Sequence, residues 1–143
     1  MIISAILSGV TAVAFGLLYQ VSGWTLGLAG IIGSASWALS ALIQRIPGSG
    51  LLGDFVGALV VGGLAEVAAS LRQQPVLVFV VPAIIVFVPG NLVYQSMMAF
   101  LKGYFLTGLR SGLSAVLAAG AISVGLALAT AVIRPLLRRR PTK

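Results

Sequence analysis

The sequence predicts an all-α integral membrane protein, a bundle of about five transmembrane helices in which the fourth is broken or kinked. Three observations predict it. The 143 residues are 59% hydrophobic and only 8% charged, with a mean hydropathy of +1.15. A water-soluble domain carries roughly 25% charged residues, so lipid must be the solvent for most of this surface. The apolar residues also fall into runs of roughly 18 or more, the length a helix needs to cross a bilayer. Finally, no ten-residue stretch alternates apolar with polar residues, which argues against a β-barrel.

Taken in order, the chain reads as a single transmembrane domain over residues 1–143. The first span is Ile2 to about Tyr19. It lacks a basic n-region and an Ala-x-Ala cleavage pattern, so it reads as a span rather than a signal peptide. The second is Trp24 to about Ile43, entered through "QVSGW", where an interfacial Trp is at home. "QRIPGSG" (Gln44 to Gly50) combines a charge, a proline and two glycines and reads as a loop. The third span, about Leu51 to Leu71, holds both acidic residues, Asp54 and Glu66. "RQQP" (Arg72 to Pro75) is a short turn, and the fourth span follows from Val76 to about Ala99. "LKGYFLTGLR" (Leu101 to Arg110) reads as a charged, Gly-broken connection. The fifth span runs from Ser111 to about Ile133 and ends before Pro135, leaving residues 134–143 as a basic cytoplasmic tail.

The nine basic residues are unevenly placed, and five of them lie in the last ten positions: Arg134, Arg138, Arg139, Arg140 and Lys143. Directly after an apolar segment and without interleaved aromatics, they read as an anchor facing anionic lipid rather than a nucleic-acid contact. Five spans put the termini on opposite sides. With the C-terminus inside, that side carries six positive charges (Arg72 and the tail) against three, Arg45, Lys102 and Arg110. The expected placement is therefore a multi-pass membrane protein with its C-terminus in the cytoplasm. Small residues recur four apart in most spans: Ala5 with Gly9, Gly23 with Gly27, Ala58 with Gly62, Gly108 with Gly112, and Ala121 with Gly125 and Ala129. In lipid, close backbone approach at such residues drives helix association. They predict a tight bundle with faces left for a hetero- or homo-oligomeric partner.

The chemistry open to this chain is narrow. With no Cys and no His, it has no disulfide, thiolate nucleophile or imidazole base, and nearly every transition-metal site is excluded. No metal, cofactor or enzymatic role is expected. A nucleotide-binding Gly-x-x-x-x-Gly-Lys-Ser/Thr loop is also missing. Glu66 lies deep in a span, where a charge costs about 2.5–3.5 kcal/mol on insertion scales, so it should face a cavity, a partner or a counter-charge. Two readings stay open: a proton-binding or substrate-side carboxylate, or a snorkelling residue paired with Arg72 or a tail Arg. Asp54 is twelve residues earlier, about 18 Å along the axis, too far for the two to act as an acid/base pair. It reads as a second proton or substrate partner or as an interfacial helix-start residue.

The fourth span is interrupted at Pro82 and at Pro89-Gly90. Each proline should release the carbonyl four residues before it, Val78 and Ile85. Seven residues apart, about two turns, the two openings should face one way. Asn91, Tyr94, Gln95 and Ser96 follow at once, and Asn91 is placed to start a second half-helix whose N-terminus attracts anions. Irregular backbone at membrane depth survives only when covered by protein or lining a water-filled cavity, and transporters use broken helices in this way. Pro82, Pro89, Gly90, Asn91, Tyr94 and Gln95 are therefore the candidate pathway; a kink that only shapes the bundle is the alternative.

These residues carry a family resemblance. "LRQQPVLVFVVPAIIVFVPGNLVYQSMMAFLKG" (Leu71 to Gly103) resembles the signature of the threonine/serine exporter family, with Pro75, Pro82, Pro89, Gly90 and Tyr94 on its pattern. "FVGALVVGGLAEVAASLR" (Phe55 to Arg72) resembles the family's preceding span, and "RPLLRRRPTK" its chain end. The resemblance implies the short, C-terminal-half-like chain of the two-chain type, similar to that of a succinate-exporting pair. It further implies a larger transmembrane partner of the same family, and export of threonine, serine or dicarboxylates such as succinate. The hydrolase-like part that some members carry in the larger half is absent here. Secondary, proton-coupled export is the expected activity, and a non-transporting scaffold or assembly subunit is the alternative.

Overall fold

The computed structural model describes residues 2–21 and 23–138. They form six α-helices, α1 (Ile2–Leu18), α2 (Trp24–Ile43), α3 (Gly50–Arg72), α4 (Leu77–Ile84), α5 (Gly90–Leu101) and α6 (Phe105–Arg138), with a 3-10 turn at Ile85–Phe87 between α4 and α5. α2, α3 and α6 are each long and apolar enough to cross a membrane. α4 with its 3-10 turn and α5 make a fourth candidate bent by 46°, and α1 is a shorter apolar helix. The expected bundle of about five spans is reached by counting the bent pair once and including α1.

The helices are built for lipid. Their large side chains point outward, including Ile3, Leu7, Ile31, Leu64 and Leu113, while their inward faces are mostly Gly, Ala and Ser. On α1 the buried positions are Ser8, Gly9, Ala12 and Gly16. α3 buries Gly53, Gly57, Ala58, Val61, Gly62 and Gly63 along its length. Such faces let backbones approach closely, which supplies dispersion contact where lipid gives no hydrophobic drive. α4 fills the centre, with Phe79, Val80, Ala83 and the following Phe87 joined to Ile32 of α2 and to Val61, Ala65, Ala68 and Ala69 of α3.

Seams between helices fix their direction. Gly125 of α6 sits against the Phe55 carbonyl and Ala58 of α3, Gly62 against Leu126 and Ala129, and Gly63 against Ile133. Residue numbers rise together on both sides, so α3 and α6 run parallel. Gly112 faces Ser96 and Gly108 faces Phe100, so α5 and α6 run antiparallel. Only a chain that crosses the bundle between α3 and α6 can make those two parallel; a re-entrant α4–α5 would return α6 antiparallel. The bent pair is one crossing span.

Two expectations are corrected. The Leu101–Arg110 connection shrinks to Lys102–Tyr104, because Gly103 alone makes the turn, at φ 79°, with the Tyr104 N–H donating to Ala99 O at 2.9 Å. Gly108 does not break the helix; it lies inside α6, where a side chain would meet the Phe100 ring. The fifth span also runs past Pro135, which lies inside α6. A proline near the last turn forfeits one hydrogen bond and leaves the helix otherwise intact, so residues 134–138 of the expected tail are helical and 139–143 lie outside the described residues. Of the small-residue pairs, Gly23 with Gly27 makes no seam: both face open space. At about 51 Å by rise, the 34 residues of α6 exceed the roughly 30 Å hydrocarbon core. Its first half runs with α5 beyond the N-terminal end of α3.

Candidate functional site

The interruption of the fourth span is local. α4 continues through Pro82, which is fully buried and lies near Gly16 of α1, so this proline shapes the contact with α1. The chain then tightens into the 3-10 turn, leaves helical geometry at Val88 (ψ 124°), and restarts as α5 at Gly90 with Pro89 as its cap. The Ile85 carbonyl, expected to be released by Pro89, instead accepts the Val88 N–H at 3.2 Å. That is the economy of the 3-10 turn, whose i+3 bonding re-uses a carbonyl a proline has orphaned. The two prolines therefore do not make matching openings. The break belongs to Pro89 alone.

At that break lies a cavity of about 190 Å³ between Trp37, Ser40, Ala41 and Gln44 from α2 and its C-cap, Asp54 of α3, and Val86, Phe87, Pro89 and Leu92. The Gln44 amide nitrogen donates to Ser40 Oγ at 3.1 Å and to Asp54 Oδ1 at 3.2 Å. Gly53 makes this possible, since a side chain there would occupy the space of the Gln44 stem. Asp54 is half-buried, held by an amide, and beside the first turn of α5.

A second cavity of about 260 Å³ lies toward the other end of α3, lined by Glu66, Ser70, Gln74, Pro75 and Arg134 among others. Glu66 is 6% exposed, and its Oε1 has no hydrogen-bond partner among the described residues. Arg72, one of its expected partners, instead lies over the Trp24 ring, 5.9 Å from the centroid. Arg134, itself one of the expected tail arginines, faces the same cavity as Glu66, while the Arg138 side chain and the residues from Arg139 onward lie outside what the structure describes. Gln74 is oriented by Thr25, whose hydroxyl donates to its Oε1 at 3.1 Å. The two carboxylates thus open into separate cavities.

A family model described as "Threonine/Serine exporter, ThrE" matches residues 4–132. The chain belongs to the threonine/serine exporter family. The match runs from α1 well into the second half of α6, and the family is one of transporters rather than enzymes. No curated protein and no solved structure matches the chain.

In this exporter chain the structure separates the sequence-predicted pathway residues. Pro89 lines the break cavity, Pro82 is interior to the bundle, and Gly90 is exposed with open space around it. Asn91, Tyr94 and Gln95 share one exposed face of α5, turned away from the Ser96–Ala99 face that packs on α6. Ser96 belongs to the packed face, its hydroxyl donating to the Gly108 carbonyl at 2.7 Å. Sequence reasoning missed Trp37, Ser40 and Gln44. One signal was available: Ser40 and Gln44 are four apart, on one helix face.

Proposed function

We propose that this chain is the small subunit of a secondary exporter for small polar metabolites, threonine or serine in the first instance, with dicarboxylates such as succinate as the other substrate class. It works in a bacterial inner membrane, C-terminus in the cytoplasm, with a larger transmembrane partner of the same family. One observation carries the transport reading: a crossing span breaks at Pro89, and a polar cavity holding Asp54, Gln44 and Ser40 lies against the break. Polar groups gathered against a broken membrane helix cost free energy unless they serve a ligand, ion or water path. The break separates two helical segments that can reorient about Val88–Pro89, as alternating access requires. Asp54 takes the coupling proton, and Gln44 orients it. Asn91, Tyr94 and Gln95, polar and without a hydrogen-bond partner among the described residues, complete the pathway against the larger subunit.

The test is export of threonine and serine from cells making wild-type, Asp54→Asn and Gln44→Leu chains at equal membrane levels. Loss of export with the complex intact supports the pathway at the break. Unchanged export favours the scaffold reading, for which the outward placement of Asn91, Tyr94 and Gln95 speaks. Affinity purification from the native membrane tests the partner: a larger polytopic protein should copurify.

A further inference from the structure

The cavity around Glu66 has no part in the break. Its contents are unusual for a membrane helix bundle: a carboxylate, nine-tenths buried, with one oxygen that has no partner among the described residues, and an arginine from another helix, Arg134, lining the same space. An unpaired buried carboxylate is strongly unfavourable. Such a group is completed by a proton, a water or a bound ligand. Here the missing partner is not Arg72, which is engaged on Trp24. Nor do the described residues hold a third acidic or imidazole group that would make a metal cage.

We propose that this cavity is a second binding site, one that recognises the zwitterionic backbone of a small α-amino acid before it reaches the break. The ammonium group of the substrate meets the Glu66 carboxylate, which lines the cavity, and the substrate carboxylate meets Arg134, whose guanidinium is a favourable fork for a carboxylate. Because the Thr25 hydroxyl donates to Gln74 Oε1, the Gln74 amide N–H groups remain to donate to a substrate oxygen. Ser70, at the rim, matches a hydroxyl-bearing side chain. At about 260 Å³ the cavity falls just below the roughly 300–1,000 Å³ of pockets for drug-sized ligands, which suits a metabolite of amino-acid size. It lies at the end of the bundle that carries Arg72 and Arg134, cytoplasmic by the charge distribution, where an exporter meets its cargo. The proposal rests on the exporter reading and assigns, within it, the residues that meet the two charged groups of the substrate.

The experiment uses inside-out membrane vesicles from the native host and compares uptake of threonine, of its 2,3-dihydroxybutanoate analogue lacking the ammonium, and of threoninamide lacking the carboxylate. Wild-type vesicles should prefer threonine over each analogue by about tenfold or more, the worth of a charge-assisted hydrogen bond. Glu66→Gln should erase the preference over the hydroxy acid while leaving hydroxy-acid uptake within about twofold. Arg134→Gln, at an exposed position that folding tolerates, should erase only the preference over the amide. A Glu66→Gln or Arg134→Gln chain that keeps its wild-type discrimination overturns the proposal. Loss of proton-driven uptake by Glu66→Gln with threonine–threonine exchange and discrimination both intact also overturns it, since Glu66 then carries only the proton. With succinate as a further test compound, uptake of succinate but not of threonine overturns it while leaving an exporter in place, and uptake of none sinks the exporter reading itself.

Discussion

The two ends of α3 handle a carboxylate in opposite ways. Near its start, Asp54 is met within the chain: Gly53 lets Gln44 lie close, and the amide bridges Ser40 and Asp54. Twelve residues on, Glu66 is the more buried of the two, yet one of its oxygens has no partner among the described residues. A satisfied carboxylate beside a broken span is suited to cycle a proton as the span moves. An unsatisfied one beside an arginine is suited to wait for a charged ligand. Burial alone would rank Glu66 above Asp54; hydrogen bonding is what sets the two carboxylates apart.

The comparison can be broken most severely through the seam that holds α6 against α3. In Gly125→Val the new side chain would run into the Phe55 carbonyl, which cannot turn aside. We expect a loss of about 1–3 kcal/mol or more from overpacking, read as a clear drop in the detergent melting temperature, and the withdrawal of Arg134 from the Glu66 cavity. Gly27→Val, which enters open space, should leave the melting temperature unchanged.

Next in size is Gln44→Leu. It strands Asp54 and Ser40 together, at a cost of about 1–3 kcal/mol for the unsatisfied groups, and should impair export. Asp54→Asn is the sharper companion, because the asparagine side chain still accepts from Gln44 while the ionisable group is gone. Export should fall with stability nearly unchanged. If both variants lose stability and neither loses export, Asp54 is only a structural cap on α3. The smallest effect should come from Thr25→Val, which removes one neutral hydrogen bond to Gln74 worth about 0.5–1.5 kcal/mol. Threonine affinity should weaken slightly, and the break cavity should be untouched.

Much of the fold was legible because lipid makes apolar runs long and their ends abrupt. The limits of α2, the loop at Gln44–Gly50 and the turn before Pro75 could be read directly. The ends of α6 could not. Gly108 and Pro135 look like punctuation in one dimension, but one is a close contact with Phe100 and the other costs a single bond near a terminus. The break at Pro89 was legible from Pro-Gly, whereas the closing of the Ile85 carbonyl required knowing that the chain tightens into a 3-10 turn. The site was half legible. Asp54 and Glu66 stand out as the chain's acidic residues, but Gln44 matters only because α2 and α3 come together across a loop, which no local pattern reveals.

The central claim, that an aqueous substrate path passes the break in the fourth span, can be tested directly because the chain has no cysteine of its own. Ala41→Cys places a thiol in the wall of the break cavity, and Val10→Cys places one on the exposed lipid-facing side of α1. Labelling with a membrane-impermeant thiol reagent, with and without threonine, should modify Ala41→Cys and be slowed by threonine, while Val10→Cys stays unmodified. An Ala41→Cys chain that is inert, or that reacts at the same rate whether threonine is present or not, would contradict the account.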